Sequence, residues 1–137
     1  MAEKPVYVLD TFALLVYLQD ETGTERVMEL LQSAQKERCR VCLCIISLGE
    51  VLYIVERRRG LTEAQAVLAV IQQTPIEILP ADEQTVLAAA HIKANHKLSY
   101  ADAFTVACAQ RLEGSVLTGD KEFETVESLV TLEWLEA

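Results

Sequence analysis

The amino-acid sequence predicts an α/β fold of three layers, in which a mostly parallel sheet is covered by helices on both faces. Two observations carry this prediction. Short apolar runs rich in β-branched residues alternate along the chain with longer segments of helical pattern. The length of 137 residues fits one domain, and no repeat, low-complexity tract or linker divides residues 1–137. We therefore expect one domain over the whole chain.

The first half of the chain contains two predicted strands and four predicted helices. The run "PVYVL" at 5–9 is typical of a buried strand, and "RVCLCII" at 40–46 has the same character. Helical patterns cover 11–19, 24–37, about 48–59 and about 63–73. Gly60 suits the end of the third helix, and Pro75 closes the fourth.

The second half continues the alternation. Predicted strands are "IEIL" at 76–79, "SVLT" at 115–118 and "VTLEWL" at 130–135. Predicted helices cover 82–95 and 100–112, with a short helical turn near 121–125. In parallel sheets the binding crevice lies beyond the carboxyl ends of the strands, so polar residues that directly follow strands are candidates for function.

Four acidic residues occupy such positions. Asp10 ends the first strand and is the only charged residue from Pro5 to Gln19. Glu50, after the second strand, is alone in 41–55, and Asp102 is alone in 98–110. Asp120 follows the strand at 115–118. Charged residues make up 24% of the chain, so three long windows with one acid each are unusual.

Helix capping is an alternative explanation for each acid taken singly. Asp10 and Asp120 could cap the helices that follow them. Capping-box patterns of the S-x-x-E kind occur at 47–50, 62–65 and, more loosely, 99–102.

Capping explains the four acids less well as a set. No Lys or Arg lies inside the three windows to neutralise them. Two bare carboxylates ~5 Å apart repel by roughly 3 kcal/mol at an effective dielectric near 20, so a cluster needs protons or a divalent cation. Oxygen ligands without a nearby His or Cys suit Mg²⁺ or Mn²⁺.

The overall charge limits how this protein can bind nucleic acid. The formal net charge is −9 at pH 7, which argues against a general nucleic-acid coat protein. The only run of like positive charge is Arg57, Arg58 and Arg59. These arginines either form a solvated helix end favoured by the helix dipole or contact phosphate, and both alternatives stay open.

The cysteines and the hydropathy point to a soluble, cytoplasmic protein. The longest uncharged windows are about 15 residues, below the ~20 that a membrane span needs, and no signal peptide opens the chain. Cys42 and Cys44 are predicted to share one face of a strand, with Cys39 on the other. Since no zinc-ligand spacing occurs, we expect the cysteines to pack as buried apolar residues.

Four segments together resemble the PIN domain family, and within it the VapC-type ribonuclease toxins. They are "VLDTFALLVYL", "SLGEVLY", "HKLSYADAFTVACA" and "VLTGDKEF", in the order of the family, over about residues 6–133. The resemblance implies a sheet with Rossmann-like crossovers and a pocket in which acids bind Mg²⁺ or Mn²⁺ and hydrolyse single-stranded RNA. By position these acids are Asp10, Glu50, Asp102 and Asp120.

The resemblance also implies further residues and partners. Thr11 and Thr118 fall where members of the family often place a hydroxyl. A homodimer is implied, together with a cognate antitoxin that blocks the pocket.

Three other classes of protein are alternatives to a PIN-type nuclease. A phosphatase of the haloacid dehalogenase type needs an Asp where this chain has Phe12, two positions after the first acid. A response-regulator receiver wants an acidic pair before that acid and a Lys on a late strand, and the sequence has neither. The alternative that stays open is a PIN-like module that binds RNA or protein without cutting.

Overall fold

The computed structural model describes residues 3–135. Within this range five strands form one sheet, in the order β3-β2-β1-β4-β5. They are β1 (Val6–Leu9), β2 (Arg40–Cys44), β3 (Glu77–Leu79), β4 (Ser115–Thr118) and β5 (Thr131–Trp134). All four strand pairs are parallel, and helices cover both faces, so the predicted three-layer α/β/α fold is confirmed.

The strand order places a switch point beside the central strand. From β1 the chain moves outward through β2 and β3, and it then returns to the other side of β1 for β4 and β5. Leu9 of β1 pairs with Leu43 on one side and with Leu117 on the other. The residues that follow these three leucines therefore come out at the same edge of the sheet, where ligands bind in open α/β folds.

The helices divide between the two faces of the sheet. They are α1 (Thr11–Leu18), α2 (Thr24–Gln35), α3 (Ile45–Arg59), α4 (Leu61–Gln72), α5 (Glu83–Asn95) and α6 (Tyr100–Leu112), followed by a 3₁₀ helix at Lys121–Val126. Leu9, Leu43 and Leu117 face a core formed with α1 to α4. Val8 and Val116 face the opposite core, formed with α5 and α6. This division follows from the two-residue alternation of side chains along a strand.

Helix α6 is the most deeply buried helix of the described chain. Eight consecutive residues, from Asp102 to Ala109, are buried. Three of them are alanines, whose small side chains leave room for close packing against the sheet and the neighbouring helices. A carboxylate at the start of such a helix is therefore held in surroundings of low polarity.

The boundary between β2 and α3 differs from the sequence prediction. The strand was expected to reach residue 46, but it ends at Cys44 and α3 begins at Ile45. Cys44 pairs with Leu79, the last residue of β3, and β1 ends opposite Leu43, so residues 45–46 have no strand beside them to pair with. Their preference for β structure is overridden by the absence of pairing partners.

This boundary also decides two of the capping alternatives. Ser47 lies inside the first turn of α3, so the capping box at 47–50 is wrong. The pattern at 62–65 is wrong for the same reason, because α4 begins at Leu61 and its N-cap is Gly60. Gly60 adopts a φ of +93° directly after α3 and confirms the predicted helix end, since this backbone conformation favours glycine.

The four cysteines are buried free thiols, as expected from the sequence. Cys42 and Cys44 pack on the side of α5 and α6, and Cys39 packs on the opposite side. In residues 3–135 no helix has both the length and the apolar character to cross a bilayer.

Candidate metal centre

Asp10 is held at the end of β1 by two hydrogen bonds. Its Oδ1 accepts from the backbone N–H of Ala13 at 2.7 Å, which caps α1, and its Oδ2 accepts from the hydroxyl of Thr118. The residue is only 1% exposed. The pKa of Asp10 is raised from 3.8 to about 7, mainly by burial and to a smaller extent by the charges of Asp102 and Asp120, while the two hydrogen bonds act in the opposite direction. Asp10 therefore both caps a helix and faces other acids.

Asp102 lies in the first turn of α6, beside its N-cap. Ser99 accepts a hydrogen bond from the backbone N–H of Asp102, which confirms the capping pattern at 99–102 for Ser99. Burial is the main cause that raises the pKa of Asp102 to about 6, and the charges of Asp120, Glu50 and Glu122 act in the same direction. Glu50, half-buried on α3, is thus close enough for its charge to act on Asp102.

Asp120 follows β4 and caps the 3₁₀ helix. Its Oδ1 accepts from the backbone N–H of Glu122 at 3.0 Å. One carboxylate oxygen from each of Asp102, Asp120 and Glu122 lies within 4.8 Å of the other two. All four predicted acids are therefore brought to one edge of the sheet. We call Asp10, Glu50, Asp102, Asp120 and Glu122 the acid cluster.

Glu122 was missed in the sequence because its neighbourhood is rich in charge. It belongs to the segment "GDKEF", where an acid is typical of a solvated turn. The feature of the sequence that could have identified Glu122 is its position two residues after Asp120. When Asp120 accepts from the N–H two residues later, the chain turns back and brings the Glu122 side chain beside Asp120.

Two buried threonines line the same edge. The hydroxyl of Thr118 donates to Asp10 and accepts from the backbone N–H of Asp120 at 2.9 Å, so it links two of the acids. Thr11 Oγ1 is the one buried side-chain oxygen or nitrogen of the described residues that has no hydrogen-bond partner. An unsatisfied buried hydroxyl costs about 1–3 kcal/mol, and this penalty disappears if a ligand or water completes the site.

A buried hydroxyl pair joins the two helices that carry Glu50 and Asp102. Ser47 Oγ and Thr105 Oγ1 are 3.3 Å apart, and both residues are almost fully buried. Ser47 precedes Glu50 by three residues on α3, and Thr105 follows Asp102 by three residues on α6. The pair therefore fixes the two helices to each other less than one turn from each acid.

Thr105→Val should loosen this junction and weaken metal binding. The valine keeps the shape but leaves the Ser47 hydroxyl unsatisfied, so we expect a loss of about 1–3 kcal/mol in the free energy of unfolding. The Mn²⁺ concentration that gives half of the thermal stabilisation should rise several-fold. Urea unfolding and a thermal titration with Mn²⁺ measure the two effects. Thr105→Ser retains the hydroxyl as a control, and an unchanged Mn²⁺ titration in the valine variant would show that the pair does not position the acids.

The acid cluster is not neutralised by the ion pairs found among residues 3–135. These pairs are Arg26 with Glu29 and Glu133, Arg40 with Glu77, and Arg111 with Asp82. All of them involve acids outside the cluster. The donors gathered at this edge are carboxylate and hydroxyl oxygens, which are the ligands preferred by Mg²⁺ and Mn²⁺. The residues present thus fit a hard divalent cation.

The three consecutive arginines lie further along α3. Arg57, Arg58 and Arg59 form its last turn and are exposed, and the guanidinium of Arg57 lies 5.5 Å from the centre of the Tyr53 ring. Arg57 follows Glu50 by seven residues, so it is on the same face of the helix, about 10 Å along the axis. Their position at a helix C-terminus agrees with a solvated end, and contact with phosphate stays a prediction.

The fold and the site define a class of protein: a parallel α/β sheet with a cluster of carboxylates at the carboxyl edge of its switch point. The chain belongs to the PIN domain family, whose model matches residues 7–129. No curated protein sequence matches it.

Solved structures resemble the whole fold. VapBC2 from Rickettsia felis, bound to a promoter DNA fragment, has a TM-score of 0.76 at 15% identity, covering 96% of this chain and 99% of that one. A toxin–antitoxin complex from Klebsiella pneumoniae has a TM-score of 0.64 at 17% identity, with coverages of 91% and 96%. VapC20 of Mycobacterium tuberculosis, a toxin that cleaves the sarcin–ricin loop, has a TM-score of 0.63 at 16% identity, with coverages of 80% and 86%. At these identities the similarity is one of fold.

Proposed function

We propose that this protein is an endoribonuclease that depends on Mg²⁺ or Mn²⁺, cuts single-stranded RNA and serves as the toxin of a type II toxin–antitoxin pair. The observation that carries the proposal is the approach of the Asp102, Asp120 and Glu122 carboxylates to within 4.8 Å of one another. Membership of the PIN domain family supports it. Several structures of similar fold are toxin–antitoxin complexes, which supports the proposed role as a toxin. VapC20 is a toxin that cleaves the sarcin–ricin loop, which supports RNA as the proposed substrate.

The acid cluster would hold the cation. Asp10 and Asp102 are our first choices for direct ligands, because they are the two buried acids of the described residues and burial raises the pKa of both, so a cation that compensates their charge would be favourable. Glu50 and Asp120 close the site, and Glu122 adds a third oxygen near Asp102 and Asp120. A bound Mg²⁺ or Mn²⁺ supplies Lewis-acid chemistry, since it polarises a phosphate and lowers the pKa of a water molecule.

The other side chains of the site prepare the attack on the phosphodiester. Asp102 or Asp120 would accept a hydrogen bond from the attacking water and orient it toward phosphorus. Thr118 fixes the Asp10 carboxylate relative to the Asp120 backbone through its two hydrogen bonds. The hydroxyl of Thr11 has no partner but is inaccessible to solvent, so we assign it no direct contact with the phosphate. The arginines Arg57, Arg58 and Arg59 would contact phosphates further along the strand.

The proposed partners follow from the same role. RNA is the substrate, a homodimer is the expected assembly, and a cognate antitoxin would cover the acid cluster. The protein would act in the cytoplasm, where its RNA substrate is found.

Metal addition tests the proposal directly. Mn²⁺ at one hundred times its dissociation constant should stabilise the folded protein by about 2.7 kcal/mol. The same Mn²⁺ should start cleavage of a fluorescent single-stranded RNA, and excess EDTA should stop it. Thermal melting and mapping of the RNA ends measure the two effects. Stabilisation without cleavage would favour the non-catalytic PIN-like module, and the absence of both would refute the metal site.

A further inference from the structure

Phe12 has no role in the proposed hydrolysis, although it directly follows Asp10 and Thr11 in the sequence. We propose that its ring is a stacking surface for one base of the RNA, beside the phosphate that is cut. This inference rests on the proposed nuclease function and adds the residue that positions the substrate.

The ring of Phe12 is seated on the backbone of the turn that carries Asp120. A Cβ atom built on Gly119 would lie 2.3 Å from Cε1 of Phe12 and 2.9 Å from its Cζ. Gly119 does not have the positive φ that favours glycine, which occurs at Gly23 and Gly60. The backbone therefore does not require a glycine here, but any larger residue would displace the ring from its present position.

The ring is partly exposed to solvent. Phe12 is 43% exposed, whereas its neighbours Asp10 and Thr11 are buried. Gly119, which it covers, lies between Thr118 and Asp120. The ring therefore contacts the backbone residue that precedes Asp120, and Phe12 itself follows Asp10 by two residues. A ring that is supported on one side and exposed on the other can accept a base at a small cost in side-chain entropy.

A second exposed aromatic residue, Tyr100, lies near Asp102. Tyr100 precedes Asp102 by two residues, is 46% exposed and packs its ring against Phe104, with 5.0 Å between the ring centres. Aromatic residues at the edge of a nuclease site are typical of binding to single strands, since every base has a face that can stack.

Stacking also suits the charge of this protein. With a net charge of −9, long-range attraction of phosphate contributes little to RNA affinity. Base stacking on an aromatic ring does not depend on positive charge and tolerates any base. Phe12 is therefore expected to supply a substantial part of the affinity for RNA.

The test compares Phe12→Leu with Phe12→Trp. Leucine keeps an apolar side chain but removes the aromatic face, so the affinity for a fluorescein-labelled 12-nucleotide single-stranded RNA should fall about 10-fold, and tryptophan should retain it. Binding is measured by anisotropy in an Asp102→Asn background that prevents cleavage. In the cleaving protein, the leucine variant should show a KM about 10-fold higher with kcat nearly unchanged.

An RNA series with one abasic site provides the matched control on the substrate. At the position that stacks on Phe12, removal of the base should weaken binding to the parent protein but not further weaken binding to Phe12→Leu. At the other positions both proteins should lose affinity equally. Leu87→Ala removes an exposed apolar side chain from α5 and should change neither binding nor cleavage. Equal loss at every abasic position would refute stacking.

The remaining outcomes separate this inference from the proposed function. If the parent protein cleaves the RNA and Phe12→Leu matches it in both affinity and KM, only the stacking inference fails. If Phe12→Leu binds RNA normally but loses affinity for a cognate antitoxin, Phe12 is a protein contact and the inference is wrong. If the parent neither binds nor cleaves RNA while Mn²⁺ still stabilises it, both the nuclease proposal and this inference fail.

Discussion

Asp102→Asn is expected to reduce metal-dependent RNA cleavage by roughly 100-fold or more while the protein stays folded, because even indirect supports of a metal ligand are worth 10–100-fold. The substitution is nearly isosteric and removes one of two buried charges from the cluster. The cap of α6 survives, because Ser99 accepts from the backbone N–H of residue 102 and not from its side chain. Initial rates on a single-stranded RNA in Mn²⁺ measure the loss, and circular dichroism checks the fold.

Asp82→Asn is the matched control for this experiment. Asp82 also caps a helix, since it accepts from the N–H of Thr85 at 2.9 Å, and it pairs with Arg111 at 2.8 Å. Arg111 lies nine residues after Asp102 on α6, about 13 Å along the axis, so Asp82 is remote from the acid cluster. Its replacement should leave cleavage intact. If the folded Asp102→Asn protein cleaves as fast as the parent, Asp102 is not part of the catalytic centre.

Asp10 shows why the competing explanations of the acids could not be separated in the sequence. Capping and clustering were treated as alternatives, yet Asp10 caps α1 through Oδ1 and meets Thr118 and the acids through its other oxygen. For Asp10 both explanations are therefore correct. The uncharged windows indicated where the acids lie, and the strand order of the sheet explains why they meet.

What the sequence could not predict depends on contacts between distant residues. Ser47 and Thr105 are 58 positions apart and meet only because α3 and α6 cross at the edge of the sheet. The end of β2 is set by the ends of β1 and β3, which pair with it. Local β propensity carries no information about where these neighbouring strands end. The fold class is more robust, since alternating buried strands and helices allow few arrangements.

Asp10→Asn should stabilise the protein at pH 8 in EDTA, although it should abolish the response to Mn²⁺. Below pH 3.8 the carboxyl is protonated in both the folded and the unfolded state. As the pH rises, the unfolded chain ionises first, so the folded state binds more protons and its stability falls until the pH passes about 7, the folded pKa of Asp10. Each unit of pKa is worth about 1.4 kcal/mol, so the full penalty amounts to a few kcal/mol.

The amide removes this penalty without removing the cap. Asparagine is a good N-cap, its Oδ1 can accept from the Ala13 N–H, and its Nδ2 can donate to the Thr118 hydroxyl. Urea unfolding at pH 4 and pH 8 should show a small difference from the parent at pH 4 and a gain of a few kcal/mol at pH 8. Asp82→Asn should have the opposite sign at pH 8, because hydrogen bonds from Thr85 and Arg111 lower the pKa of Asp82 to about 2. If Asp10→Asn were less stable than the parent at pH 8 in EDTA, the buried charge would be stabilised by the fold itself and would not require a cation.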